Sequence, residues 1–342
     1  MAPPLMRNDC PNLDVVDRLL RNWPGRAWRD VHVGVAVSGG GDSMALLAAL
    51  LEAKGRVGGA GRVLALHVNH QLRADADADQ QWLREQCAQR GIECAVRAVE
   101  APLAARSEEG ARLQRYRCLQ EMAGQAGARY IAVAHTLEDQ AETVLFRLLR
   151  GSGLRGMAGM RRTRALDAGV TLVRPLLDVR REELRAYLAS QGQTWREDPT
   201  NAQPAATRNR LRGQLIPLVR ELVNPDADRA IVRAAELAAE AQTLVEAQAA
   251  DVLASCQSRI ADRDIVLEAE QLAELSPLLA SEVLRLAWRS AGWPEQRMTR
   301  RAWRQLTALA QSAEAASLGL PGGVTARRAA DVLSLERPAS GV

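Results

Sequence analysis

Through the first two hundred residues, short apolar, β-branched runs alternate with longer amphipathic ones, and this alternation limits the possible folds more than any other feature of the chain. Residues 31–37, 63–68, 93–99, 130–134 and 172–176 read as strands. Residues 42–54, 75–90, 107–125, 138–150 and 180–190 read as the helices that follow them. Strands joined by helices of this length form right-handed βαβ units and a parallel sheet. Near-continuous apolar strands imply burial on both faces. The expected fold class is α/β, a parallel sheet with helices on both faces, and ligands should bind beyond the carboxyl ends of its strands.

A polar loop at 198–204 and an Asn224-Pro225 break close this region. Beyond them lie an Ala-rich helical stretch at 226–255, helices near 281–290 and 299–310, and a tail with a terminal hairpin. This divides the chain into residues 1–222 and a mainly helical C-terminal domain, 223–342.

The first strand runs into Ser38-Gly39-Gly40-Gly41-Asp42-Ser43 and then directly into a helix. Glycines there permit positive φ and close backbone approach to a ligand. Backbone N–H groups at a helix N-terminus form an anion nest. A bare Gly-Gly-Gly turn would be an ordinary connection, but the flanking residues add chemistry. Ser38 and Ser43 bring hydroxyl donors. Asp42 sets a carboxylate beside the bound phosphates, which requires an intervening cation, and Mg²⁺ is the natural one. The loop lacks the Gly-Lys-Ser/Thr of a Walker A motif, and Met44 breaks a dinucleotide fingerprint. The hexapeptide resembles the PP-loop of the N-type ATP pyrophosphatases, which cleave ATP between its α- and β-phosphates. The resemblance implies an adenine nucleotide alpha hydrolase-like fold with ATP held by Ser38, Gly39, Gly40, Gly41, Asp42 and Ser43.

Composition narrows the partners. Net charge is +4, yet residues 147–220 hold fifteen arginines against six acids, a local balance of +9. A basic segment suits a polyanion such as RNA. Lys54 is the single lysine, so arginine use also reflects a global bias of the chain. The five cysteines include no Cys-x-x-Cys pair, so neither a zinc site nor a disulfide framework is expected, and a reducing cytoplasm fits. No apolar run approaches the ~18 residues needed to span a bilayer. The N-terminus has no secretory apolar region.

A second constellation, His135-Thr136-Leu137-Glu138-Asp139-Gln140-Ala141-Glu142, follows the fourth strand. Asp139 and Glu142 are three apart and share a helix face. Acids in a first turn favour the helix dipole in any protein, but this helix opens at the ligand-binding edge. Together with the glycine loop, residues 134–160 are similar to a stretch of the tRNA(Ile)-lysidine synthetase family. Further landmarks agree in order: His67–Arg73, Glu109–Tyr116, Arg174-Pro175-Leu176-Leu177, Glu197–Asn201 and Arg208–Arg212. Glu138 stands where that family usually has Asp. The C-terminal region is short and only loosely similar, as in a member lacking an extra terminal domain.

The resemblance implies ligation of L-lysine to C2 of the wobble cytidine of a tRNA(Ile) with a CAU anticodon, consuming ATP and releasing AMP and pyrophosphate. It implies Asp42, Asp139, Glu142 and His135 as catalytic residues, with Mg²⁺ on Asp42 and Asp139. Asp139 and Glu142 are alternatively the seat of the lysine ammonium. Arg112, Arg115 and Arg208 are expected on phosphates of ATP or RNA. Arg297, Arg300, Arg301 and Arg304 are candidates for a further tRNA contact. No membrane is involved, and the reading leaves room for a homodimer. Two rivals stand beside it: a tRNA thiolase on the same loop, for which the cysteine pattern is wrong, and a non-catalytic ATP-sensing RNA-binding protein.

Overall fold

A computed structural model describes residues 14–69, 76–99, 108–167, 169–196 and 207–338. The chain forms two compact units, residues 1–236 and 237–342.

In the first unit, α1 (Val15–Asn22) precedes β1 (His32–Ala36), α2 (Gly41–Val57), β2 (Val63–Asn69), α3 (Ala76–Gln89), β3 (Cys94–Ala98), α4 (Glu108–Gln125), β4 (Ala128–Ala132) and α5 (Leu137–Leu149). A short α6 (Leu154–Met157) leads to β5 (Thr163–Asp167), β6 (Val170–Val173) and α7 (Arg181–Ser190). The sheet order is β3-β2-β1-β4-β6-β5. All neighbours are parallel except β5, which runs antiparallel to β6 at the edge. The sheet is thus mostly parallel, as the alternation predicts. Its central strands are buried, with Val33, Val35, Ala65, Leu66, Ile131 and Ala132 at or near zero exposure.

The fifth predicted strand differs. Instead of residues 172–176 the structure has a hairpin of β5 and β6 turning at Gly169, where φ is +86°. Pro175 offers no N–H to a ladder, so β6 ends at Val173. The partner β5, with Thr163 and Arg164, is polar enough for an edge and carries no buried-strand pattern. Helix α1 also lacks a prediction. It buries Val15, Val16 and Leu19.

Residues 207–222 form one helical rod: α8 (Thr207–Arg210), a π turn over Leu211–Leu215, and α9 (Ile216–Leu222). Helix α10 (Ala227–Cys256) follows. The second unit is helical as expected, with α11 (Ala269–Ala273), α12 (Pro277–Ser290) and α13 (Arg300–Gln311). It also contains an antiparallel sheet in the order β7-β8-β11-β10-β9 (Gln257–Ile260, Asp264–Glu268, Val332–Glu336, Thr325–Ala329, Ala316–Gly319). Only the terminal hairpin of this sheet is legible in the sequence. Strands such as Thr325–Ala329 (TARRA) bury Ala326 and Arg328, a pattern without an apolar face. Trp288 forms edge contacts with Trp293 and Trp303 in this core.

Among the described residues no helix is long and apolar enough to cross a membrane.

Candidate active site

The strand order places β1 and β4 side by side while β2 and β6 lie to either side of them. The connections after β1 and β4 therefore emerge at a topological switch point, where open α/β sheets form their ligand crevice. The glycine loop follows β1, and His135 follows β4.

In the loop Gly39 has φ +88°, the left-handed region that favours glycine. Gly40, in extended conformation, is the N-cap of α2, and the Met44 N–H donates to its carbonyl at 3.0 Å. The Ser43 hydroxyl donates to Gly40 O at 2.9 Å and accepts from the Ser38 N–H at 3.1 Å. Ser38 Oγ lies 3.2 Å from Ser43 Oγ. The loop is thus tied across its mouth by two hydroxyls, while the N-terminus of α2 stays open to an anion.

Helix α5 starts with a capping box. The Thr136 N–H donates to Asp139 Oδ2 at 3.0 Å, and the Asp139 N–H donates to Thr136 Oγ1 at 3.4 Å. Capping occupies one Asp139 oxygen and leaves Oδ1 for other partners. Those partners are Arg181, the first residue of α7, and Arg212 in the π turn, whose Nη2 is at 3.1 Å. Arg181 Nε also donates to Asp42 Oδ2 at 3.2 Å, and its Nη1 lies 3.8 Å from Glu142. Arg212 holds Glu142 with both oxygens, at 2.6 and 2.9 Å. The Arg181 backbone N–H points to the Glu138 carboxylate at 3.2 Å. The structure thereby joins Asp42, Asp139 and Glu142, three of the predicted residues, through two arginines the site prediction does not include.

Electrostatics follow from this crowding. Burial raises the Asp42 pKa, and although Arg181 opposes this, Asp139 and Glu138 add to it. Burial also acts on Asp139, but Arg181, His135, the Thr136 N–H and Arg212 together outweigh it and lower that pKa.

His135 belongs to a different neighbourhood. Arg174 Nε donates to its Nδ1 at 3.2 Å, so the proton of the neutral ring sits on Nε2. Desolvation, with Arg174, Arg112 and Arg115 nearby, pushes the His135 pKa down to about 4 despite the opposing Asp139 carboxylate. His135 is thus a neutral donor at physiological pH. Arg174 itself is buried, and its Nη1 donates to Arg161 O at 2.8 Å. Arg112 stacks on Tyr116 with its guanidinium carbon 5.6 Å from the ring centre. Arg115 is exposed on the same helix. The site has an acidic side around Arg181 and a cationic side around His135.

The side chain of Arg208 lies outside the described residues, as do His70–Arg73 and Glu197–Asn201. Among the described side chains of its run, Arg212, four positions on, reaches the acids. An i, i+4 pair in the Arg-Asn-Arg-Leu-Arg run was the available signal. Arg174 opens the Arg174-Pro175-Leu176-Leu177 landmark, whose sequence carries no sign of its burial against His135.

The +9 balance of residues 147–220 overstates the charge free to meet a polyanion. Arg180, Arg181, Arg196, Arg212 and Arg220 are counter-ions to acids outside that segment, namely Asp226, Asp42, Asp79, Glu142 and Asp228. In the second unit Arg300, Arg301 and Arg304 of α13 line an open concavity of about 720 Å³ with Gln305 and Ala308.

Asp42 and Asp139 supply the hard oxygen donors that Mg²⁺ takes together with substrate phosphates. Both carboxylates share Arg181 as their cation, so the donor set suits a divalent ion in kind. Among the described residues no group of three or more His, Cys, Asp or Glu is arranged to hold a metal by itself.

The sequence profile of the PP-loop domain matches residues 16–219. A tRNA(Ile)-lysidine synthase of Thermus thermophilus is 38% identical over 331 residues, covering 94% of this chain and 59% of the relative. One of Rhodopirellula baltica is 32% identical over 348 residues, covering 90% of this chain and 87% of the relative. One of Pseudomonas fluorescens is 41% identical over 241 residues, 69% of this chain and 52% of the relative. The chain thus spans 59% of the length of the Thermus protein. Among solved structures, the U34-tRNA thiolase NcsA of Methanococcus maripaludis with its [4Fe-4S] cluster superposes with a TM-score of 0.55 at 16% identity. That match covers 65% of this chain and 77% of the other, a likeness of fold.

Proposed function

This chain belongs to the tRNA(Ile)-lysidine synthase family of PP-loop proteins, and from that premise we propose that it ligates L-lysine to C2 of the wobble cytidine of a CAU-anticodon tRNA(Ile), in the cytoplasm, with ATP converted to AMP and pyrophosphate. The observation that carries the reading is the union of the glycine loop with the acids of α5. Asp42 leaves the loop and meets Asp139 on the Arg181 guanidinium, beside an open helix N-terminus.

The cytosine C2 oxygen is a poor leaving group. Transfer of AMP onto it forms a P–O bond to the base and breaks the α–β phosphoanhydride. The lysine ε-amine then attacks C2, AMP departs with the C2 oxygen, and the amine gives up a proton. Such displacement at phosphorus is mostly positioning and electrostatics. The Ser38–Ser43 loop binds the departing pyrophosphate through backbone N–H groups and hydroxyls. Asp42 and Asp139 would hold Mg²⁺, which supplies charge neutralisation on the phosphates when bound. Asp139 and Glu142 offer negative charge to the lysine ammonium. His135, neutral and with Nε2–H free of Arg174, is a donor to phosphate or base. Arg112, Arg115 and Arg208 are assigned to ATP or RNA phosphates. Unpaired anticodon bases can be splayed into a pocket, and residues 223–342, through α13, hold another part of the tRNA.

The test is the order of steps. ATP and cognate tRNA without lysine should release pyrophosphate and leave labelled AMP on the RNA, and added lysine should discharge it. Lysine-dependent ATP–pyrophosphate exchange without tRNA would indicate an aminoacyl adenylate and overturn the assignment.

A further inference from the structure

The glycine loop is gripped from outside by a segment that no motif explains. After α7 ends, the chain returns to the loop at Trp195 and Arg196. The Arg196 N–H donates to the Gly39 carbonyl at 3.0 Å. The Trp195 indole lies against Gly41, where a Cβ would meet Cδ1 and Nε1 at 3.4 Å. On the other side Trp82 of α3 flanks Gly39, where a Cβ would sit 3.6 Å from its ring. The Arg196 guanidinium bridges the two walls. It stacks on Trp82 at 5.6 Å and pairs with Asp79 at 3.3 Å. The start of α7 is tied to the same loop, because Arg181 holds Asp42.

We propose that Trp195 and Arg196 form a clasp that sets the phosphate-binding conformation of the loop, so that both are positioning residues for ATP. The physical link is the rigid peptide plane. Holding the Gly39 carbonyl in a hydrogen bond to Arg196 turns the Gly40 N–H to the opposite side. That N–H has a contact to Ser38 Oγ at 3.4 Å, long for a hydrogen bond, so it remains available to an anion. Without the clasp, Gly39 and its two glycine neighbours regain the wide φ, ψ freedom of glycine. The nest must then be ordered by the ligand at a cost in affinity. Trp195 packs against the loop through the Cγ, Cδ1 and Nε1 atoms of its indole, an aromatic contact that a Phe largely replaces and an Ala does not.

This inference rests on the reading that the loop binds ATP, and the experiment separates the two. ATP binding to the full chain is measured by titration calorimetry without tRNA or lysine, for wild type, W195A, W195F and R196A. Steady-state KM for ATP and for lysine is measured alongside. All three variants keep the Arg196 N–H. W195A loses the indole packing on Gly41 and R196A the guanidinium's stack on Trp82 and pair with Asp79, so ATP binding should weaken about tenfold in W195A, about threefold in R196A, and less than about twofold in W195F. KM for lysine should stay within about twofold of wild type, since the clasp's contacts run to the loop and to Trp82 and Asp79 of α3 rather than to the acids of α5. R196A alters an exposed side chain and carries the test should W195A fold poorly. Wild-type affinity in both W195A and R196A, or equal loss in W195A and W195F, overturns the proposal. Absence of ATP binding by the wild type would overturn the nucleotide reading itself, and the clasp with it.

Discussion

Replacing Arg181 by Ala isolates the cation at the centre of the acidic side. The variant keeps the backbone N–H that faces Glu138 and substitutes a residue of high helix propensity at the first position of α7. What it removes is one guanidinium shared by Asp42 at 3.2 Å, by Asp139, and by Glu142 at 3.8 Å. Breaking a fully buried ion pair costs about 3–5 kcal/mol. Here the Arg181 and Asp42 side chains retain 22% and 30% exposure. Arg212 also continues to hold Asp139 and Glu142, so we expect about 2 kcal/mol at neutral pH, below the buried-pair range. The pH dependence identifies the cause. Asp42 already has a raised pKa in the folded state, so its contribution is full below the unfolded value and is lost as pH rises through the folded one. Without Arg181 that pKa rises further, and the penalty grows with pH as the carboxylates ionise. Urea unfolding followed by tryptophan fluorescence at about pH 7.5 and about pH 4.5 should show a deficit that shrinks on acidification. A deficit equal at both pH values, or larger in acid, would refute the ion-pair reasoning.

Three other outcomes are expected. D42N should fold and bind tRNA yet lose at least about a hundredfold in pyrophosphate release, read in a coupled assay, because a charge at the phosphates is gone. His135 has a folded pKa lowered from 6.5 to about 4; the unfolded chain therefore takes up the proton first, and stability falls as pH drops through that window. H135Q should flatten this part of the stability–pH curve, and an unchanged slope would locate the acid sensitivity elsewhere. If Arg300, Arg301 and Arg304 contact RNA phosphates, each Arg→Gln change should lower the salt slope of log K in filter binding by about 0.7–0.9, whereas an unaltered slope would remove α13 from the interface.

Elements whose cause is local were legible. Apolar runs, the glycine loop and the acids in the first turn of α5 all follow from neighbours within a few residues, so the parallel sheet and the two loops at its edge could be read directly. Harder to read were elements stabilised by partners elsewhere: α1, the edge hairpin of β5 and β6, and the sheet of the second unit. Their polar or short sequences become strands and helices only against a surface the chain has already built.

The division runs through the site as well. The sequence by itself determined which groups are candidates for the chemistry: Ser38, Asp42 and Ser43 on a glycine loop, and His135, Asp139 and Glu142 at the connection after β4. The tertiary structure decided their states. Arg181 lies 139 residues from Asp42 in the chain, and Arg212 lies 70 from Glu142. Arg174 fixes the His135 tautomer from 39 residues away. An arginine's exposed or inward fate is not encoded in its own neighbourhood, since a guanidinium stacks, pairs or hydrates with similar ease. Packing of α7 and the 207–222 rod at the strand ends selects the pairing, and burial then makes the choice costly to undo.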